Sequence, residues 1–122
     1  MILADTSVWI DHLRQGDAAM AVALEAGEVL IHPFVIGEIS LGTLGQRAVT
    51  LELLNDLPSA IVASAEEVAA LIERERLFGS GVGYVDVHLL ASVRLTTDAT
   101  FWTRDLRLRA VAERLGLPAR RA

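Results

Sequence analysis

The chain has 122 residues, a hydrophobic content of 52%, a formal net charge of −5 and no cysteine. Without cysteine, the protein can have no disulfide framework, thiolate nucleophile or sulfur-ligated zinc site. All eleven basic residues are arginine, and the absence of lysine also excludes a P-loop and Schiff-base chemistry.

Apolar runs separated by turn residues predict short strands that alternate with helices. The predicted strands cover residues 1–4, 29–31, 60–63 and 100–102. The predicted helices cover residues 6–14, 17–24, 33–39, 47–55, 65–78, 84–95 and 106–115. Residues 118–122 are expected to form a frayed tail.

This alternation indicates βαβ units and therefore a parallel sheet with helices on both faces. In such a fold the ligand site lies outside the carboxyl ends of the strands. Asp5 directly follows the first predicted strand, and Asp105 lies three residues beyond Trp102, where the fourth strand ends. We therefore expect both carboxylates at the ligand-binding edge. Asp98 precedes the fourth strand and should lie, solvated, at the opposite edge.

Two further acids lie among apolar neighbours. Glu38 falls within the segment FVIGEISL at 34–41, and Asp86 falls within YVDVHLLA at 84–91. An isolated charge in such a setting costs several kcal/mol unless it is paired or bound to a metal ion. Both carboxylates are therefore predicted to have a partner.

Each of these acids also has an ordinary structural interpretation. Asp5 and Asp105 could cap helices or form turns, Glu38 could pair with an arginine such as Arg47, and Asp86 could favour the dipole of its helix. The four acids together indicate a different role. Converging carboxylates repel one another and raise one another's pKa, so such a cluster is stable mainly as a site for divalent cations.

Four blocks of the chain carry these residues: MILADTSVWIDHLR at 1–14, HPFVIGE at 32–38, GYVDVHLLAS at 83–92 and WTRD at 102–105. In this order, and over nearly the whole chain, they resemble the PIN-domain ribonucleases of the VapC toxin type. The resemblance implies an α/β, three-layer PIN-like fold, whose central, mostly parallel sheet has four to five short strands flanked by helices. It also implies one PIN-like nuclease domain over residues 1–122.

The activity that the resemblance implies is that of a Mg²⁺- or Mn²⁺-dependent endoribonuclease, in which a metal-activated water cleaves RNA. Such a protein is a toxin that is inhibited by a cognate VapB-type antitoxin, and the family further implies a homodimer. The catalytic, metal-binding acids of the family fall on Asp5, Glu38, Asp86 and Asp105, and its supporting hydroxyls fall on Thr6 and Thr103.

Positive charge is concentrated at one end of the chain. Residues 1–93 carry four arginines and thirteen acids, whereas residues 94–122 carry seven arginines and three acids. Arg104, Arg107 and Arg109 surround the fourth acid and could bind the phosphates of RNA on either side of the cleavage site. Helix solvation is the alternative role for each of them.

Two other classes of function fit parts of the sequence. A phosphotransfer or phosphatase domain could use Asp5 as its phosphoryl acceptor, but Ser7 stands where such proteins have a second acid, and no lysine can hold the phosphate. A catalytically silent binding module could receive an arginine from a partner among the acids.

No apolar run approaches the roughly 20 residues that a membrane span needs. The N-terminus also lacks the basic region that opens a signal peptide. We therefore expect a cytoplasmic protein with no association with membranes.

Overall fold

A computed structural model describes residues 1–121 of the chain. The strands are β1 (Ile2–Ala4), β2 (Val29–Leu30) and β3 (Thr100–Trp102). The helices are α1 (Thr6–Gln15), α2 (Ala18–Glu25), α3 (Pro33–Ser40), α4 (Arg47–Asn55), α5 (Ala65–Arg74), α6 (Tyr84–Leu95) and α7 (Leu106–Arg114).

The strands form a parallel sheet in the order β2-β1-β3, with β1 in the centre. Leu3 pairs with Leu30 on one side and with Phe101 on the other. All three side chains are buried, as expected for a parallel sheet that is covered by helices on both faces. The predicted α/β fold with three layers is confirmed.

The sheet has fewer strands than the four to five that the sequence predicts. Residues 60–63 form no strand, because only one isolated bridge, between Ile31 and Ser59, links this segment to the sheet. Beyond that bridge, Ile61 is 53% exposed, and its amide donates to the Thr96 hydroxyl at 2.9 Å instead of to a strand. The pairing of this segment with the sheet therefore ends after the one bridge between Ile31 and Ser59.

The predicted frayed tail also pairs with the sheet as far as it is described. An isolated bridge joins Phe101 and Ala119. The Phe101 amide donates to the Pro118 carbonyl at 2.8 Å, and the Arg120 amide donates to the Phe101 carbonyl at 2.7 Å. The tail thus occupies the outer edge of β3, as residues 58–60 occupy the outer edge of β2.

Most helix boundaries follow the local signals in the sequence. Ser64 and Glu67 form a capping box at the start of α5. This helix ends at Arg74, four residues before the predicted end, because Arg76 adopts a left-handed conformation with φ 54°. Along residues 1–121, no helix combines the length and the apolar character needed to cross a membrane.

Candidate active site

Asp5 lies at the junction of β1 and α1 and is only 5% exposed. Its amide donates to the Trp102 carbonyl at 2.9 Å, which continues the pairing of β1 with β3. Its carboxylate caps α1 by accepting from the Val8 amide at 3.3 Å. Asp5 therefore has the predicted helix-capping role. The cap uses only one of the hydrogen bonds that the carboxylate can accept.

Two hydroxyl groups hold the Asp5 carboxylate. The Ser7 hydroxyl donates to Oδ1 at 2.5 Å, and the Thr103 hydroxyl donates to Oδ2. Burial raises the pKa of Asp5, and the hydrogen bonds from Ser7, Thr103 and the Val8 amide act in the opposite direction. The outcome is a buried carboxylate in one fixed orientation.

The loop after β3 supplies the second part of the site. The Thr103 hydroxyl accepts from the Asp105 amide at 3.0 Å, and the Arg104 amide donates to the Ser7 hydroxyl at 3.0 Å. Asp105 is exposed and caps α7, accepting from the Arg107 amide at 2.9 Å. The ends of β1 and β3 are therefore joined by side-chain hydrogen bonds around Asp5.

Glu38 and Asp86 come from α3 and α6. The Thr6 hydroxyl donates to Glu38 Oε1 at 2.6 Å, and the Gly83 amide donates to Asp86 Oδ2 at 3.2 Å. Glu38 is exposed and Asp86 is half-buried. α3 buries Val35 and Ile39, which leaves Glu38 on another side of the helix, more open than its apolar neighbours predicted.

The charges of the other three acids affect Asp86. Burial is the largest cause that raises the pKa of Asp86, and the negative charges of Asp5, Asp105 and Glu38 raise it further. The Asp86 carboxylate is thus near enough to each of the other three to be affected by its charge. Within residues 1–121, however, no three acidic or histidine side chains lie close enough together to hold one ion in their present positions.

The three arginines of the predicted RNA-binding group differ in their contacts. Arg104 donates to Asp11 at 3.1 Å and to Asp17 at 2.5 Å. Arg109 donates to the Arg121 carbonyl at 3.2 Å and lies 3.8 Å from a Glu113 carboxylate oxygen.

Arg107 lies against the glycine-rich loop at 79–83. A side chain at Gly81, where φ is +85°, would collide with the Arg107 guanidinium. RNA binding by the three arginines stays a prediction.

Sequence reasoning missed two features of this region. Ser7 contacts Asp5 directly, and the signal for it was a second hydroxyl immediately after Thr6 at the start of α1. The second feature is a contact between His32 and His88, which are buried with ring centroids 6.5 Å apart. Their spacing of 56 residues gave no indication of that contact.

The comparison with known protein families agrees with this fold. Residues 2–114 match the PIN domain. The chain therefore belongs to the PIN-domain family, as the sequence resemblance predicted.

Within that family the chain is similar to proteins of the VapC type. It is 48% identical over 117 residues to Ribonuclease VapC32 of Mycobacterium tuberculosis strain CDC 1551 / Oshkosh, a match that covers 96% of this chain and 94% of the relative. Ribonuclease VapC32 of strain ATCC 25618 / H37Rv gives the same identity and coverage.

Proposed function

We propose that this protein is an endoribonuclease that depends on a divalent cation and acts as the toxin of a toxin–antitoxin pair. The observation that carries the proposal is the coupling of Asp86 to three other carboxylates at the carboxyl edge of the sheet. This coupling occurs in a chain that is 48% identical to Ribonuclease VapC32 over nearly its full length.

Carboxylate oxygens are suitable ligands for Mg²⁺ or Mn²⁺, since both ions prefer oxygen ligands. We propose Asp5, Glu38, Asp86 and Asp105 as the residues that would hold the cation. The negative charges that raise the pKa of Asp86 support this assignment, because a bound cation would offset them. Glu38 and Asp105 are exposed, so a cation can approach both carboxylates from solvent.

When bound, such a cation supplies an acidified water and positive charge for the scissile phosphate. The chain's own contribution is orientation. Ser7 and Thr103 fix both oxygens of Asp5, Thr6 fixes one oxygen of Glu38, and the Gly83 amide fixes one oxygen of Asp86. Preorganised ligands of this kind reduce the free-energy cost of assembling the site when the substrate binds.

The partner that we propose is a VapB-type antitoxin. Glu38 and Asp105, the two exposed carboxylates of the group, are complementary to an arginine side chain, which would form charge-assisted hydrogen bonds there and compete with the metal. Co-purification of the protein with the product of its neighbouring gene would test this partnership. Free expression of an active enzyme without toxicity would contradict the toxin role and leave the nuclease role in place.

The enzymatic proposal is tested with end-labelled RNA and purified protein. We expect cleavage with Mg²⁺ or Mn²⁺, and loss of cleavage in excess EDTA while the circular dichroism spectrum stays unchanged. Undiminished cleavage in EDTA would contradict metal dependence. Antitoxin binding without cleavage under any metal condition would favour the silent binding module.

A further inference from the structure

Two aromatic rings are exposed where α3 and α6 meet. Phe34 is 37% exposed and Tyr84 is 55% exposed. Both rings pack on the buried His88, with centroid distances of 4.6 Å for Phe34 and 4.7 Å for Tyr84. We call Phe34 and Tyr84, with His88 beneath them, the aromatic platform.

The aromatic platform is held in place from behind. The Phe34 ring also contacts the buried His32 ring edge-on, with centroids 5.2 Å apart. The Phe34 amide donates to Nδ1 of His32 at 3.0 Å, which caps α3. Aromatic contacts on more than one side limit the rotamers of these rings, so little conformational entropy is lost when they bind a flat ligand.

The same two helices carry the aromatic platform and two of the acids. Phe34 precedes Glu38 by one turn of α3, a rise of about 6 Å along the helix, and Tyr84 precedes Asp86 by two residues in α6. Residues four apart share a face of a helix, so the Phe34 ring lies one turn from Glu38 on the same side of α3. Tyr84 lies near Phe34 through their shared contact with His88. A nucleic acid bound at Glu38 can therefore reach these rings.

The charge of this region makes stacking the more effective source of binding energy. The acids repel phosphates, and two of the three neighbouring arginines, Arg104 and Arg109, already contact groups of the protein. Counterion release, which dominates affinity on basic surfaces, is therefore weak here. Aromatic faces bind nucleobases without needing positive charge.

We propose that Phe34 and Tyr84 stack on nucleobases of the RNA beside the cleaved phosphate. The faces of paired bases are covered by their neighbours in a duplex, whereas the bases of loops and single strands can be splayed out onto aromatic side chains. This inference rests on the proposed ribonuclease function and deepens it, since it names two side chains that would hold the substrate beside the acids.

The test begins by mapping where the wild-type protein cleaves total RNA, from the sequences of the new ends. An oligonucleotide with that sequence is then made with 2-aminopurine in place of the base on either side of the cleavage position. Stacking on an aromatic ring quenches 2-aminopurine fluorescence, which can be measured without turnover on the Asp5→Asn background. Cleavage of the unlabelled oligonucleotide gives kcat and KM.

We expect Tyr84→Ala and Phe34→Ala to weaken binding of the oligonucleotide by about 5- to 150-fold, the range found when one stacking ring is removed. Quenching should disappear with the ring that causes it. Tyr84→Phe should keep both binding and quenching, because it keeps the ring. Leu53→Ala is the matched control, since Leu53 is an apolar side chain on α4 that is 62% exposed.

Three results would overturn the inference. Cleavage and quenching that are unchanged in both alanine variants would remove the stacking role and leave the ribonuclease function intact. A change in molecular mass by light scattering, with kcat/KM unchanged, would show that the rings form a contact between two copies of the chain. Absence of any cleavage by the wild-type protein would remove the proposed function, and the inference with it.

Discussion

The two ends of β3 carry the same type of residue in different settings. Asp98 lies before the strand and Asp105 lies beyond it. At the amino end the contacts are made by the backbone: the Met1 amino group donates to the Asp98 carbonyl at 3.0 Å, and the Thr100 amide donates to the Met1 carbonyl at 2.8 Å. At the carboxyl end, hydroxyls and carboxylates make the contacts.

This difference follows from the direction of the chain. In a parallel sheet every strand points its carboxyl end to the same edge, so the loops that leave that edge bring their side chains together. Asp98 has a left-handed conformation with φ 61°, which aspartate tolerates better than most residues. Its position explains its role as a turn residue, whereas the position of Asp105 places it among the other acids.

The largest effect should come from Asp5→Asn. Asparagine caps helices as well as aspartate does, so the fold should persist, whereas the carboxylate at the centre of the site is lost. Loss of a group that only supports a metal ligand typically lowers activity or metal affinity 10- to 100-fold, so the loss of a proposed ligand should lower kcat/KM by more than about 100-fold. RNA cleavage and the melting temperature should be measured together. A variant as active as the wild type would remove Asp5 from the site.

An intermediate effect is expected from Thr103→Val. This change keeps the shape of the side chain but leaves Asp5 Oδ2 and the Asp105 amide without the hydroxyl. Mn²⁺ affinity, measured by calorimetry, should fall by about 10- to 100-fold.

Ser7→Ala should have a similar effect through Asp5 Oδ1. Thr50→Val is the control, because the Thr50 hydroxyl donates to the Gly45 carbonyl in another part of the fold. A drop in Mn²⁺ affinity as large in Thr50→Val would mean that the effect is one of general stability.

The direct comparison of the two ends uses Asp105→Asn and Asp98→Asn. Asparagine preserves the cap of α7 at position 105 and tolerates the left-handed backbone at position 98. Asp105→Asn should weaken Mn²⁺ binding and slow cleavage by about tenfold, and Asp98→Asn should change neither. The reverse result would mean that the fourth ligand has been assigned to the wrong end of β3.

The smallest effect concerns pH and stability without metal. Burial and neighbouring carboxylates raise the pKa of Asp86 in the folded protein. The negative charge of Asp86 therefore destabilises the folded state fully above that pKa, and this destabilisation is relieved as the pH falls through it. In EDTA near pH 7, Asp86→Asn should raise Tm by roughly 2–5 °C. The difference from the wild type should shrink toward about pH 4. A difference that does not depend on pH would exclude charge repulsion as its cause.

The sequence predicts those parts of the fold that depend on local signals. The three strands and the starts of the helices follow from apolar runs and capping residues such as Ser64. The segment at 60–63 was predicted wrongly, because Ile61 and Val62 indicate β propensity and say nothing about whether a neighbouring strand is available. The early end of α5 depends on the backbone of Arg76, which has no distinctive sequence signal.

The candidate site was predictable to a similar degree. Strand direction places Asp5 and Asp105 at one edge, and the structure agrees with that placement. It does not specify which hydroxyl reaches which carboxylate, since Thr6 contacts Glu38 whereas Ser7 contacts Asp5. Nor could it predict that Arg104 would pair with Asp11 and Asp17, because that contact depends on how α1 and α2 pack against the loop after β3.

The single bridges at the two outer edges of the sheet affect how the protein behaves at high concentration. An uncovered edge strand offers free amides and carbonyls to the strands of other molecules and promotes aggregation. Here Ser59 pairs with Ile31, the residue after β2, and Ala119 pairs with Phe101 of β3, so a segment of the same chain occupies one position at each edge. Sheets of two molecules therefore cannot join at these positions without first displacing residues 58–60 or 118–120.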